Sequence, residues 1–208
     1  MRSESRESMT MVLVPIGVQA GVTILLLMSL LPGLVIGGES EKAGERLQAT
    51  TILRADTFTP PKGVLTVKQR RAPALILPDI DGDPFDLAAL KGQWVFVHFW
   101  ASWCGPCRRE IPAIQRMVEK FPEGRLGMAI VNTAEDEDTV FTFLGVLAPD
   151  LLPLMDHDGQ ATERWKPRGL PSTYLVDPSG MIRYQVLGGQ AWDEDAYMTF
   201  LLGITEKR

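Results

Sequence analysis

The run Trp94-Val95-Phe96-Val97-His98-Phe99-Trp100 passes through Ala101 and Ser102 straight into Trp103-Cys104-Gly105-Pro106-Cys107. An aromatic and β-branched run of this length is too short for a buried helix, and it reads as a strand covered on both faces. Such a strand needs pairing partners at both edges and helices above and below. The chain is therefore expected to build an α/β domain with a mixed central sheet and helices on both faces.

The rest of the sequence supplies those elements. Ala74-Leu75-Ile76-Leu77 reads as a short edge strand, Asp81 to Pro84 as a turn, and Leu87 to Leu90 as one helical turn. A helix is expected from Gly105 to Lys120, interrupted at Pro112. Leu126 to Val131 forms the next strand, and Glu135 to Leu147 a helix with Val140, Phe143, Leu144 and Leu147 on one face. A short strand at Leu152 to Met155 and a helical turn at Thr162 to Trp165 follow. Ser172 to Val176 and Met181 to Leu187 flank the turn Asp177-Pro178-Ser179-Gly180 as a hairpin, and a helix over 193–202 closes the chain.

Cys104 and Cys107 are the only cysteines among 208 residues. A structural zinc site needs four ligands, and only His98 and His157 could complete one, so the metal reading is poor. A dithiol that can close on itself remains. At a strand-to-helix junction, free backbone N–H groups and the helix dipole favour the Cys104 thiolate. Gly105 and Pro106 keep the turn tight, and Cys104 becomes the attacking sulfur. Cys107, one turn inside, becomes the resolving thiol.

Between Glu7 and Glu39 lie 31 positions without a charge, densest in apolar residues from Val22 to Ile36. That exceeds the ~20 residues a helix needs to cross a bilayer. Residues 1–38 are read as an N-terminal transmembrane anchor in preference to a cleaved signal peptide, with the membrane contacted through 11–36. Residues 39–71 are read as a polar linker and 72–208 as the globular domain. A single apolar segment ahead of one domain is the usual export arrangement, which places the dithiol on the periplasmic or extracytoplasmic side of a bacterial inner membrane. A net charge of −5 and a pI near 5.1 offer nothing to a phosphate backbone, so no nucleic-acid partner is expected. No cofactor is expected either.

Trp-Cys-Gly-Pro-Cys after an aromatic strand resembles the thioredoxin superfamily. Pro112 matches that family's helix-kinking proline, and Gly169-Leu170-Pro171-Ser172-Thr173 resembles its cis-proline loop. The longer spacing from Cys107 to Pro171 is similar to the membrane-anchored TlpA, ResA and cytochrome c maturation branch. The resemblance implies a thioredoxin-like fold over 72–208. It also implies a thiol-disulfide oxidoreductase that reduces exported protein clients, such as apocytochrome c or copper-site cysteines, with electrons from a membrane thiol-transfer protein. By the same resemblance Glu110, three residues past Cys107, tunes the site, a solvated glutamate being the alternative. Trp103, Gly169, Leu170 and Pro171 would form a shallow groove for an extended client.

His98 stands where thioredoxin carries a buried aspartate. It is read as a satisfied neutral core histidine, with a proton-transfer role or a thiolate-stabilising imidazolium as alternatives. His157 is read as solvated. Two competing functions stay open: a Cu(I) chaperone using the two thiolates, and a thiol peroxidase. The peroxidase pattern has proline and a hydroxyl residue ahead of its cysteine, where this chain has Val97 and Ala101.

Overall fold

The structure, a computed structural model, describes residues 59–206. The expected membrane segment and most of the linker lie outside the described residues, among which no helix is long and apolar enough to cross a membrane. In chain order the elements are β1 (Val64–Arg71), β2 (Ile76–Pro78), β3 (Pro84–Asp86), a 3-10 turn (Leu87–Leu90), β4 (Trp94–Trp100), α1 (Gly105–Lys120), β5 (Leu126–Thr133) and α2 (Glu137–Leu147). They continue with β6 (Pro153–Asp156), α3 (Gln160–Trp165), β7 (Ser172–Val176), β8 (Met181–Leu187) and α4 (Asp195–Ile204).

Six strands form one mixed sheet in the order β1-β8-β7-β4-β5-β6, with β4 in its interior. β4 runs parallel to β5 and antiparallel to β7. Its side chains alternate between the faces. Phe96 and Trp100 pack with Ile111, Ile114 and Met117 of α1 and with Phe200 and Leu201 of α4. Val95, Val97 and Phe99 pack on the other side with Leu75, Leu87, Trp165 and Tyr174. The period of two thus sends His98 toward the face that α1 covers. This is the doubly covered mixed sheet that the aromatic strand implied, in the thioredoxin-like arrangement that the family resemblance implied.

Three details differ from the sequence reading. Residues 64–71, assigned to the linker, form β1 and pair antiparallel with β8. Only Val64 of that strand is buried, Val67 is half-buried, and the other six residues, most of them polar, face solvent, so an edge strand looks like a spacer in composition. Ile76–Pro78 pairs with β3 in a separate two-stranded ribbon instead of edging the main sheet. Leu75 turns fully into the core just before this strand, while Ile76 is 63% exposed. Finally, α1 continues through Pro112, which forgoes one backbone bond without ending the helix.

If β1 belongs to the domain, Val64→Ala lowers stability by about 1–2 kcal/mol, from the lost methyls and the space they leave. Leu65→Ala, at a position 54% exposed, changes it by less than about 0.5 kcal/mol. Urea unfolding of both variants checks this. Equal, negligible effects would return 64–71 to the linker.

Candidate active site

The strand-to-helix junction sets the dithiol. Cys104 is the N-cap of α1 in extended conformation, and its Sγ accepts the Cys107 backbone N–H at 3.3 Å. Pro106 lies in the first helical turn, where its missing N–H costs no bond. The two sulfurs are joined as a disulfide with the Cα atoms 5.2 Å apart. Cys107 is fully buried and Cys104 is 6% exposed, so the inequality between them has the expected sense. Cys104 is nevertheless more covered than an exposed thiol. Its neighbour Trp103 is 69% exposed.

Two loops hold this junction. The Ser102 backbone N–H donates to Glu135 Oε2 at 2.7 Å, and its hydroxyl donates to the same carboxylate. Asn132 Nδ2 donates to Glu135 as well, at 2.7 Å. Glu135 follows Ala134, whose positive φ of 57° turns the chain back from β5. This explains why α2 begins at Glu137 and not at Glu135: the carboxylate is committed to Ser102, and Asp136 caps the helix. No sequence signal marked Glu135.

On the other side the Leu170-Pro171 bond is cis. Ser172 Oγ donates to the Gly169 carbonyl at 2.7 Å, and the Gly188 N–H donates to the Pro171 carbonyl at 2.9 Å. Ser172 pairs with Phe99, so the next register step brings Pro171 level with Trp100, at the end of β4 that leads to the dithiol. Gly169 is exposed and Leu170 half-buried.

Glu110 is not solvated. The period of α1 puts it on the inner face with Cys107, Ile111 and Ile114, and it is 3% exposed. Gln190 N–H donates to Oε1 at 3.0 Å, and Trp192 Nε1–H donates to the same oxygen. Burial outweighs both bonds and raises the carboxyl from an ordinary 4.5 to about 7. His98 is fully buried, with Nδ1 2.9 Å from Thr173 Oγ1. Desolvation lowers its pKa to about 3, so the imidazole is neutral at physiological pH and the imidazolium alternative is set aside. His98 Nε2 and Glu110 Oε2 are 3.7 Å apart. With the histidine neutral they are not an ion pair.

Glu110 also borders a cleft of about 450 Å³ between α1 and the segment after β8, lined by Pro106, Arg109, Arg116, Gly189, Gln190 and Asp193 among others. Trp103, Gly169 and Leu170 do not line it. His157, read as solvated, is 45% exposed in its side chain but contacts the Glu135 carbonyl and the Glu137 carboxylate. Among the described residues no three His, Cys, Asp or Glu side chains converge as a metal-ligand set.

Fold and site together define a thioredoxin-like dithiol-disulfide protein with unequal cysteines. The sequence model of the AhpC/TSA family matches residues 69–185, and the chain belongs to that family. It is 31% identical over 117 residues to the thiol-disulfide oxidoreductase ResA of Bacillus subtilis, covering 56% of this chain and 65% of that protein. It is 35% identical over 102 residues to the thiol:disulfide interchange protein CycY of Rhizobium leguminosarum, covering 49% and 53%. Among solved structures, the thioredoxin domain of a Bacteroides vulgatus thiol-disulfide oxidoreductase superposes with a TM-score of 0.56 at 26% identity, covering 65% of this chain and 96% of that one. StoA from Bacillus subtilis, at 22% identity and a TM-score of 0.54 over 61% and 96% of the two chains, shares the fold. These relatives are oxidoreductases by name, and the dithiol such chemistry uses is in place here.

Two measurements follow from this geometry. In the reduced protein, Cys104 should alkylate first, with a midpoint below the ordinary thiol value of about 8.5. Cys107 alkylating at the same rate would contradict the assignment. Second, folding raises the Glu110 pKa, so the stability this group contributes is full below its ordinary 4.5 and is lost as pH rises through about 7. The stability difference between wild type and Glu110→Gln should therefore shift by on the order of 3 kcal/mol against the wild type between pH 4.5 and 8. A pH-independent difference in urea unfolding would show that Glu110 keeps an ordinary pKa.

Proposed function

We propose that the chain is a membrane-tethered thiol-disulfide oxidoreductase that reduces disulfides in specific exported proteins. The observation that carries this reading is the closed Cys104–Cys107 pair, with one sulfur at the helix N-cap and the other sealed behind it. In the reduced enzyme the Cys104 thiolate attacks one sulfur of the client disulfide, and the client's other sulfur leaves as a thiolate. Cys107 gives its proton to a base and attacks Cys104 Sγ, which releases the second client sulfur. Two electrons have moved to the client, two protons complete its thiols, and the enzyme is left as the disulfide.

Glu110 is the candidate base for Cys107, being one helical turn away on the same buried face. Trp103, Gly169 and Leu170 supply client-facing surface beside Pro171. The uncharged segment at 8–38 supports a single-pass anchor in a bacterial cell membrane, with the domain on the extracytoplasmic side. There a membrane thiol-transfer protein would return the electrons. The TlpA, ResA and cytochrome c maturation resemblance favours apocytochrome c or copper-site cysteines as clients.

Trapping tests the reading. Cys107→Ser should accumulate a mixed disulfide between Cys104 and a disulfide-bearing client, and Cys104→Ser should accumulate none. Stoichiometric Cu(I) binding by the reduced protein without disulfide reduction would instead support the chaperone reading.

A further inference from the structure

Two buried polar atoms face each other beside the dithiol, each without a hydrogen-bond partner within the protein: His98 Nε2 and Glu110 Oε2. Their separation of 3.7 Å is just beyond hydrogen-bond length, so a contraction of about half an ångström bonds them. The other atoms of both groups are committed, Oε1 to Gln190 and Trp192, and Nδ1 to Thr173 Oγ1. Each orphan atom therefore has the other as its nearest available partner, and leaving both unmet is costly in a buried site.

We propose that His98, held by Thr173, is a positioning residue that keeps Glu110 hydrogen-bonded in both of its protonation states by exchanging tautomers. This deepens the reading of Glu110 as the base for Cys107 and rests on it. When Glu110 carries its proton, Oε2–H donates to bare Nε2, and Nδ1–H donates to the Thr173 hydroxyl oxygen. When Glu110 is ionised, Nε2–H donates to the carboxylate, and the Thr173 hydroxyl donates to bare Nδ1.

The two states differ by one proton, exchanged with Cys107 or with the water of the adjoining cleft, and the imidazole is neutral in both. A hydroxyl suits position 173 because it can donate or accept, whereas a carbonyl there would fix one tautomer. The antiparallel pairing of His98 with Thr173 sets the two side by side. A charged histidine is not required, in keeping with its complete burial.

The surroundings of Glu110 contain few competing charges. His98 on β4 and Cys107 on α1 are buried with it, and Tyr197 on α4 feels its charge. Arg109 and Arg116 of α1, with Asp193 and Glu194 after β8, line the cleft. Arg116 and Asp193 bind each other at 2.7 Å, which leaves Arg109 and Glu194 as charges without that pairing at the cleft. Neither makes a hydrogen bond to Glu110, which is bonded by Gln190 and Trp192.

Nitrogen and carbon NMR of the labelled full-length protein, in its disulfide form and with no client present, tests the proposal. The Glu110 carboxyl carbon should titrate near pH 7. At the same midpoint Nε2 should change from bare to proton-bearing and Nδ1 the reverse, with no imidazolium signal. A His98 tautomer that stays fixed through the Glu110 titration overturns the proposal, as does imidazolium formation at that midpoint. In Glu110→Gln the nitrogens should hold one pattern across the range, and an exchange that persists there also overturns it. If that variant does not fold, the wild-type spectra decide alone. Because no client is present, failure here leaves the trapping result for Cys104 untouched, and failure of trapping leaves this result untouched.

Discussion

A carboxyl group placed where water cannot reach it is the constraint on which the site turns. Glu110 sits on the inner face of α1, and its oxygens draw in the Gln190 backbone and the Trp192 indole from the segment after β8. Those bonds tie the helix that carries both cysteines to the far end of the hairpin. Burial costs the ionised form more than the two bonds return, so the group titrates near physiological pH. An acid of that kind can take or give a proton at neutral pH, which a solvated glutamate cannot do effectively.

The dithiol is framed by three separate devices. The end of β4 delivers Cys104 to the helix N-cap, where the Cys107 N–H already points at its sulfur. Glu135 fastens Ser102 from the end of β5, fixing the entry into the motif. The Ser172 and Gly188 bonds fasten the loop around Pro171. Trp103 is left outside these fastenings and, at 69% exposure, is a large apolar side chain open to a partner beside the dithiol.

Most of the domain was legible in the sequence because the signal of a doubly covered strand is strong. β4, the ends of α1, and the β7–β8 hairpin followed from residue type and turn chemistry alone. β1 was missed because an edge strand buries one residue in eight, and its Lys68, Arg70 and Arg71 look like linker. The cysteines and Pro171 were legible as a motif. The surroundings of Glu110 were not: the i, i+3 spacing placed it near Cys107, but Trp192 and Gln190 lie about eighty positions away and carry no local signature. Glu135 was invisible for the same reason, since its role comes from a turn at Ala134 and not from a pattern.

The central claim is that Cys104 and Cys107 form a reducing dithiol whose proton is managed by a buried Glu110. The most direct test is the midpoint potential of the pair against glutathione, measured across pH 5.5 to 8.5 in wild type and in Glu110→Gln. A potential close to the thioredoxin value of about −270 mV is expected at pH 7, with the two proteins' pH dependences diverging around that pH. A potential near the roughly −120 mV of strong oxidants would contradict the direction of electron flow. Parallel curves would contradict the role of Glu110.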